Sequence, residues 1–256
     1  MDRTVNNLDG VVMKVLEGRV AVVTGANAGI GLAIARAYRA EGARVFVAGR
    51  RQDQLDKVEA DLGPEVTGVR CDVGRLEDLD GLYATVAERA GHIDVLVANA
   101  GIGIAAPLGE ITEEQFDAMF TTNVKGSLFT VQKALPLLSP GASIILTGST
   151  AISRPQPYLP VYGATKAAIR NLVRGFAHDA GKRRYRINVL SPGGTRTQGL
   201  QELVSPEELT AAGASVPLGR LAEPDEIAAA AVFLASDASS YVNGSELAVD
   251  GGFAQI

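Results

Sequence analysis

Cysteine and histidine are scarce in this chain. Cys71 is the single cysteine, and His92 and His178 are the only histidines. One cysteine cannot form an intrachain disulfide, and so few soft ligands cannot build a multi-cysteine or histidine cage around a metal ion. We therefore expect metal-independent chemistry, with Cys71 as a small buried hydrophobic residue at a strand end.

Long apolar runs and long basic runs are also missing. No apolar stretch approaches the roughly 20 residues that a membrane-spanning helix needs, and residues 1–13 lack the pattern of a signal peptide. Residues 1–15 come before the first predicted strand. We expect those residues to form a flexible leader, and the protein to be cytoplasmic with no membrane partner. With 24 basic and 29 acidic residues the formal charge is −5, which disfavours nucleic acid as a partner.

Strand-like and helix-like segments alternate along the rest of the chain. The β-branched run at 20–24 precedes a glycine turn, and apolar residues then recur at helical spacing over 30–37. The later strand-like runs are almost continuously apolar, as burial under helices on both faces requires. The sequence predicts an α/β fold: one Rossmann-like, doubly wound domain over residues 16–256, with a mainly parallel sheet.

Two helix starts carry a capping-box pattern, in which a hydroxyl residue and a Gln or Glu three positions later bond each other's backbone N–H. They are Thr112 with Gln115 and Ser205 with Glu208. The second lies in the segment 195–214, which this fold would place over the carboxyl ends of the strands, where ligands bind. We expect that segment to be a lid over a partly apolar substrate pocket.

A glycine-rich turn, Thr24-Gly25-Ala26-Asn27-Ala28-Gly29-Ile30-Gly31, links the first strand to the first helix. Glycine lets the backbone approach a pyrophosphate closely, and the helix N-terminus offers unpaired N–H groups and a partial positive charge. The pattern predicts a dinucleotide site, with a plain strand-to-helix turn as the alternative.

The end of the second strand indicates which dinucleotide is bound. Gly49 stands where NAD-specific folds place an acidic residue for the ribose 2′-hydroxyl, and Arg50 and Arg51 follow it. An arginine can instead pair with a 2′-phosphate through two parallel hydrogen bonds. The sequence favours NADP(H), and NAD(H) stays open as the alternative.

A second set of residues indicates acid–base chemistry. Tyr162 and Lys166 are four apart at the start of a predicted helix, so they share one face. An ammonium about 4 Å away, at an effective dielectric near 20, would lower the pKa of a phenol by at most about three units, to about 7. Ser149 follows a predicted strand and could hydrogen-bond a substrate oxygen, while Asn123 could hold a water that links Lys166 to solvent.

Together these residues resemble the short-chain dehydrogenase/reductase family from about residue 16 to residue 253. The resemblance is carried by the glycine turn at 24–31, Asp72-Val73, Asn-Ala-Gly at 99–101, Asn123, Ser149, Tyr162 with Lys166, and Pro192-Gly193. It implies a seven-stranded sheet of order 3-2-1-4-5-6-7, a small-molecule carbonyl or alcohol substrate, and a homotetramer or homodimer that is joined in part through residues 249–252.

The resemblance also implies roles for individual residues. Tyr162 would donate the proton, Ser149 orient the carbonyl, Lys166 bind the nicotinamide ribose and lower the tyrosine pKa, and Asn123 support a proton relay. The implied cofactor-binding residues are Gly25, Asn27, Gly29, Ile30, Gly31, Arg50, Arg51, Asp72, Val73, Asn99, Ala100, Gly101, Tyr162, Lys166, Pro192, Gly193, Thr195 and Thr197. Two residues depart from the family pattern. Ala98 stands where the family commonly has an asparagine, and Thr195 stands where an apolar residue commonly meets the carboxamide, which could alter how the nicotinamide is seated.

The resulting hypothesis is an NADP(H)-dependent carbonyl reductase or alcohol dehydrogenase. An NAD(H)-preferring alcohol dehydrogenase of the same family is one rival. An epimerase commonly has a longer C-terminal substrate region, and a dehalogenase of this kind loses the glycine turn. A non-catalytic dinucleotide-binding regulator is the rival from another class, but such proteins commonly lack the tyrosine or the lysine, and here Tyr162 and Lys166 are both present.

Overall fold

The computed structural model describes residues 14–255, apart from the side chains of Arg183 and Leu203. Seven parallel strands form one sheet in the order β3-β2-β1-β4-β5-β6-β7. The strands are β1 (Val20–Thr24), β2 (Arg44–Gly49), β3 (Val66–Arg70), β4 (Ile93–Ala98), β5 (Leu138–Thr147), β6 (Tyr185–Pro192) and β7 (Glu246–Val249). The predicted α/β class, the parallel sheet and the strand order are confirmed. The flexible leader expected at 1–15 lies, for residues 1–13, outside the described residues.

Nine α-helices lie within residues 14–255. They are α1 (Gly29–Ala40), α2 (Gln52–Leu62), α3 (Leu76–Arg89), α4 (Glu113–Met119), α5 (Ser127–Ala134), α6 (Pro160–Arg183), α7 (Gln198–Leu203), α8 (Pro206–Ala214) and α9 (Pro224–Ala235). The predicted lid segment therefore contains two helices, α7 and α8. Both predicted capping boxes are present, at the N-termini of α4 and α8.

Helices cover both faces of the sheet, because alternate strand residues point to opposite sides. Val20 and Val22 of β1 belong to a core with α3, α5 and α6, whereas Ala21 and Val23 belong to a core with α1, α2 and α9. All five residues of β1 are buried, which explains why its sequence is continuously apolar rather than alternating. Tyr38 of α1 also donates a hydrogen bond to the Ala231 carbonyl of α9, at 3.1 Å.

The strand order reverses beside β1, which pairs with β2 on one side and with β4 on the other. In an open parallel sheet the connections leave in opposite directions at such a point, and a crevice opens outside the carboxyl ends of the strands. Thr24 at the end of β1 and Thr147 at the end of β5 both lie at that edge. The fold therefore places the glycine turn and the loop that carries Ser149 at the same edge of the sheet, where the carboxyl ends of the strands lie.

The helix predicted around Asn123 is interrupted. Residues Phe120–Gly126 form a π-helical segment between α4 and α5, and Asn123 lies within it. A π-helical turn inserts an extra residue into the helical hydrogen-bond ladder and is frequent at functional sites. No periodicity in the sequence indicated it.

Candidate active site

The turn after β1 requires glycine at two positions. Gly25 has φ +65°, and a Cβ built there would lie 2.8 Å from Cα of Ala100. A Cβ on Gly31 would lie 2.3 Å from the carbonyl oxygen of Gly25. These distances are shorter than any real contact, so the turn and the loop after β4 approach each other closely only because both residues lack a side chain.

The first turn of α1 is suited to an anionic group. Its N-cap residue, Ala28, makes no side-chain capping bond, and the first turn contains no acidic residue. The N–H groups there, with the partial positive charge of the helix end, are available to a phosphate. Gly29 and Ile30 begin this helix, so this part of the predicted dinucleotide site fits a pyrophosphate.

Asn99 connects the carboxyl ends of β1 and β5. Its side-chain amide donates to the carbonyls of Thr24 (3.0 Å) and Gly25 (3.2 Å), and its oxygen accepts from the Thr147 hydroxyl (3.2 Å). The Thr24 hydroxyl in turn accepts from the backbone N–H groups of Asn99 and Ala100. Asn99, which the resemblance places near a ribose, thus also holds the glycine turn in place. Sequence reasoning assigned no role to Thr24 or Thr147.

The end of β2 carries two free cations. Arg50 and Arg51 are exposed, and neither guanidinium makes a hydrogen bond or ion pair with another of residues 14–255. A Cβ on Gly49 would lie 2.7 Å from Oδ1 of Asn27, whose amide donates to Gln54 at 2.6 Å. An acidic side chain at position 49, as in NAD-specific folds, would collide with Asn27 as it is placed here.

Asp72 and Val73 follow β3. Asp72 Oδ1 accepts from the N–H of Gly74 at 3.0 Å, and Val73 is buried. A Cβ on Gly126 of the π-helical segment would lie 2.7 Å from Val73. The ends of β2 and β3 therefore form one flank of the crevice, separate from Tyr162 and Lys166.

The ends of β5 and α6 bring Ser149, Tyr162 and Lys166 together. The Ser149 side chain hydrogen-bonds the Tyr162 phenol and also accepts from the N–H of Ala151 at 3.1 Å, as the N-cap of a short 3₁₀ turn at 150–152. Lys166 Nζ lies 5.6 Å from the centroid of the Tyr162 ring and donates to the Thr147 carbonyl at 2.8 Å. The lysine is 4% exposed.

The pKa shifts differ from the one expected for this pair. Burial raises the pKa of Tyr162 above its ordinary value, and the hydrogen bond from Ser149 lowers it by less. The expected fall of the tyrosine pKa to about 7 is therefore wrong for the protein alone. The tyrosine pKa rises because the phenol is desolvated, which disfavours the charged phenolate. The lysine contacts the ring face and the Thr147 carbonyl. Burial also lowers the pKa of Lys166, to about 8.

Asn123 is fixed from both sides. Its Oδ1 accepts from the N–H of Ile102 at 2.8 Å, and its Nδ2 donates to the Ile102 carbonyl (2.9 Å) and to the Thr165 hydroxyl (3.0 Å). The Thr165 hydroxyl in turn donates a hydrogen bond to the Tyr162 carbonyl at 2.7 Å. Sequence reasoning missed Thr165, although it lies inside the Tyr-x-x-x-Lys motif.

Two glycines after β4 lie against this group. A Cβ on Gly101 would lie 3.3 Å from Oδ1 of Asn123 and 3.4 Å from Nζ of Lys166. A Cβ on Gly103 would lie 3.4 Å from the Tyr162 ring. Gly101 was among the predicted site residues, and Gly103 was not.

The loop after β6 closes over the glycine turn. Thr197 caps α7 by accepting from the N–H of Leu200, and its methyl carbon would lie 3.3 Å from a Cβ on Gly29. Thr195 is buried and donates to the Gly193 carbonyl at 3.0 Å. Pro192 ends β6 itself. Residues 192–197 thus lie against the site that the turn after β1 offers to phosphates.

Cys71 is buried, and its thiol pKa is raised to about 12, chiefly by burial. This agrees with its predicted place as a small hydrophobic residue. Residues 14–255 contain no cluster of three or more histidine, cysteine or acidic side chains that could hold a metal ion. Within the same range, no helix combines the length and apolarity that crossing a membrane requires.

Comparison with known proteins gives consistent matches. A family model described as enoyl-(acyl carrier protein) reductase matches residues 25–254. The oxidoreductase asL5 of Sarocladium schorii is 48% identical over 243 residues, 94% of this chain and 98% of that protein. Gluconate 5-dehydrogenase of Gluconobacter oxydans is 37% identical, over 93% of this chain and 95% of that protein. The crystal structure of a short-chain dehydrogenase/reductase (glucose/ribitol dehydrogenase) from Brucella melitensis has a TM-score of 0.90 at 34% identity, over 93% and 98% of the two chains.

Proposed function

The chain belongs to the short-chain dehydrogenase/reductase family of oxidoreductases, and on that premise we propose that it interconverts a ketone or aldehyde with an alcohol, using NADP(H). The observation that carries the proposal is the convergence of Ser149, Tyr162 and Lys166 beside a glycine turn that admits a pyrophosphate. The nicotinamide ring supplies or accepts the hydride when it is bound. The side chains of this protein do the acid–base and positioning work.

Tyr162 is the general acid in this proposal. Because burial raises its pKa, the phenol is protonated at neutral pH and can donate to a carbonyl oxygen as negative charge develops there. The Ser149 hydroxyl lies within hydrogen-bonding reach of the same phenol and can stabilise that oxygen. The buried ammonium of Lys166, present below about pH 8, favours the phenolate that remains after the proton has left.

The proton of Tyr162 must then be replaced. A Cβ on Gly101 would lie 3.3 Å from the Asn123 oxygen and 3.4 Å from the Lys166 ammonium, so both groups border the space beside this glycine. Three hydrogen bonds to Ile102 and Thr165 fix the asparagine. We propose that Asn123 and Lys166 hold the water through which solvent returns the proton, as the sequence suggested.

Removing the phenol hydroxyl tests the mechanism. Tyr162→Phe should lower kcat by about a thousandfold while leaving the Kd for NADP(H) within about twofold, because a general acid contributes about a hundredfold to ten-thousandfold. Tyr241→Phe, at a fully exposed tyrosine, is the matched control. A Tyr162→Phe variant with more than half of the wild-type rate would remove this residue from the acid role.

NADP(H) is proposed over NAD(H) because the guanidinium groups of Arg50 and Arg51 are exposed and unpaired, and because a Cβ at Gly49 would lie 2.7 Å from Oδ1 of Asn27. Arg50→Ala should raise the Kd for NADP(H) by about tenfold, the worth of one charge-assisted hydrogen bond, and that for NAD(H) by less than about twofold. Arg36→Ala, at an exposed arginine of α1, controls for the loss of a positive charge. Equal losses for both cofactors would argue that Arg50 does not touch the 2′-phosphate.

The substrate class is best found by a panel. One relative is named a gluconate 5-dehydrogenase and another a galactitol 2-dehydrogenase, so polyols and sugar acids belong in it, together with simple ketones, 3-oxoacyl thioesters and steroids. NADPH absorbance followed against each carbonyl class would identify the substrate. A protein that oxidises or reduces no member, while still binding NADP(H), would favour the non-catalytic regulator.

We also propose that the protein is a cytoplasmic homotetramer or homodimer. Phe116 and Phe120 stack with centroids 4.4 Å apart, and Phe116, Phe233 and Leu218 expose apolar surface that association could cover. The buried free thiol of Cys71 suits a reducing compartment. Light scattering of the purified protein and fractionation of cells test the two statements separately.

A further inference from the structure

The chain between Ser149 and Tyr162 includes an exposed loop. We call residues 153–159 the substrate loop. Most of its residues are exposed, and Tyr158 has φ +66°, a conformation that is strained for a bulky side chain. The Tyr158 carbonyl accepts from the N–H of Ala106 at 2.8 Å, which connects this loop to the segment after β4. Strain of this kind persists only where surrounding contacts impose it.

Arg154 makes the second connection. Its guanidinium donates to the Phe253 carbonyl at 2.6 Å and lies over the ring of the same residue, with the guanidinium carbon 4.3 Å from the centroid. One side chain therefore contacts both the backbone and the aromatic face of its partner. A planar guanidinium can lie flat over a ring while its N–H groups donate in the plane, a geometry that a compact ammonium does not reproduce.

Phe253 belongs to a C-terminal segment, residues 250–255, that is folded around one carboxylate. Asp250 is 9% exposed, and it accepts from the N–H groups of Gly252 and Ala254, each at 2.9 Å, and from the Gln255 amide at 3.3 Å. Gly251 and Gly252 have φ +62° and +89°. The carboxylate therefore fixes the position at which Phe253 meets Arg154.

The C-terminal segment also contacts the other walls of the crevice. A Cβ on Gly193, after β6, would lie 2.8 Å from Asp250. Just beyond the helices of the lid, the N–H of Leu218 donates to the Gly251 carbonyl at 3.3 Å. The segment thus connects the end of the lid to the substrate loop, with Arg154 as the side chain that completes the connection.

We propose that Arg154 is a positioning residue, which holds the substrate loop against the C-terminal segment and thereby sets how the carbonyl substrate fits between Ser149, Tyr162 and the lid. This inference rests on the proposed function, because its test measures the KM of a carbonyl substrate. It goes beyond that function because Arg154 and Phe253 lie outside the motifs that predicted the site. Neither Arg154 nor Phe253 contacts the glycine turn or Arg50 in any hydrogen bond or ring contact of residues 14–255, so cofactor binding should not depend on them.

Kinetics of four variants test the proposal. Arg154→Ala should raise the KM for the carbonyl substrate by about tenfold, with kcat and the KM for NADPH within about twofold, because a charged hydrogen bond and a cation–π contact are both lost. Phe253→Leu removes the ring alone, and Arg154→Lys keeps the charge alone, so each should raise that KM by about threefold. Arg36→Ala, at an exposed arginine distant from this loop in the sequence, should leave all constants at wild-type values.

Hydrogen exchange gives a readout that needs no turnover. In Arg154→Ala the amide of Ala106, which bonds the Tyr158 carbonyl, should exchange faster than in the wild type, while the amides of β1 should not change. Unchanged exchange, an unchanged KM, or an equal loss of substrate and NADP(H) binding would overturn the proposal. A wild-type protein that reduces no carbonyl of the panel would overturn the proposed function and the substrate-fit role together, whereas the other outcomes concern Arg154 alone.

Discussion

Strands β1 and β5 both end in threonine followed by glycine, yet the two loops are built differently. After Thr24-Gly25, residues 25–28 lead directly into α1, and the turn is determined by its own glycines and by Asn99. After Thr147-Gly148 the chain runs through residues 148–159 before α6 begins, and that loop is held by Ala106 and Phe253, which lie far away in the sequence.

The difference follows from loop length. A short turn has few conformations, so a positive φ or a close approach of two backbones selects it, and both leave a glycine pattern in the sequence. A long loop has more conformational freedom to lose, and contacts with other parts of the chain must compensate for that loss. In this protein the short loop offers the phosphate site and the long loop carries Ser149 toward Tyr162.

The largest expected difference between the two loops is in the cost of adding a methyl group to a glycine of each. A Cβ on Gly31 would meet the Gly25 carbonyl oxygen at 2.3 Å, whereas a Cβ on Gly148 would meet side-chain atoms, Ser191 Oγ at 2.4 Å and Val189 Cγ1 at 2.5 Å. Side chains can move further than backbone. Gly31→Ala should therefore lower the free energy of unfolding in urea by about 3 kcal/mol, and Gly148→Ala by about 2 kcal/mol.

The control is a glycine with free space around it. A Cβ on Gly81, within α3, meets no atom within 4 Å, so Gly81→Ala should stabilise the protein by about 0.5 to 1 kcal/mol. Gly31→Ala should also weaken NADP(H) binding, measured by the fluorescence of NADPH. A Gly148→Ala variant less stable than Gly31→Ala would show that the long loop, not the short one, is the more rigid.

The pH dependence of stability sharpens the comparison at the end of β5, where the Thr147 carbonyl accepts from Lys166. Burial lowers the pKa of this lysine from its ordinary 10.5 to about 8 in the folded protein. Between these two values the unfolded chain holds a proton that the folded protein has lost. The free energy of unfolding should therefore rise with pH through this window, relative to a variant without the lysine.

Urea unfolding of the wild type and of Lys166→Met, between about pH 7.5 and about pH 9.5, measures the effect as a difference between two curves. The raised pKa of Tyr162 does not interfere in this range, because the phenol is protonated in both states below its ordinary value of 10. A difference between the curves that is flat or falls with pH would mean that Lys166 is not desolvated as the structure places it.

Sequence reasoning was most successful where the chemistry is local. The alternation of elements gave the parallel sheet, and the capping boxes at Thr112 and Ser205 gave two helix starts to the residue. The resemblance supplied the strand order. The alternation and the capping boxes depend on spacing within a few residues, and such spacing can be read from a sequence.

Other parts of the site depend on contacts that spacing does not encode. The π-helical turn at Asn123 leaves no periodic signal, and its asparagine is oriented by Ile102 and Thr165. The direction of the Tyr162 pKa shift depends on how deeply the phenol is buried, which a four-residue separation from Lys166 cannot tell. The meeting of Arg154 with Phe253 joins segments 99 residues apart.

The smallest expected difference is between the stability costs of replacing the two threonines, Thr24 and Thr147. The Thr24 hydroxyl accepts from two backbone N–H groups, those of Asn99 and Ala100, and Thr24 is 1% exposed. The Thr147 hydroxyl donates one hydrogen bond to the Asn99 side chain. Thr24→Val keeps the shape of the side chain but leaves two partly buried donors without a partner, which should lower the free energy of unfolding by about 2 kcal/mol, whereas Thr147→Val should lower it by about 1 kcal/mol or less. The control is Thr85→Val in α3, whose hydroxyl makes an exposed hydrogen bond; it should change the free energy of unfolding by less than about 0.5 kcal/mol.

Equal costs at Thr24 and Thr147 would mean that the two strand ends are bound to Asn99 with similar strength. The short turn would then not be held more tightly than the long loop.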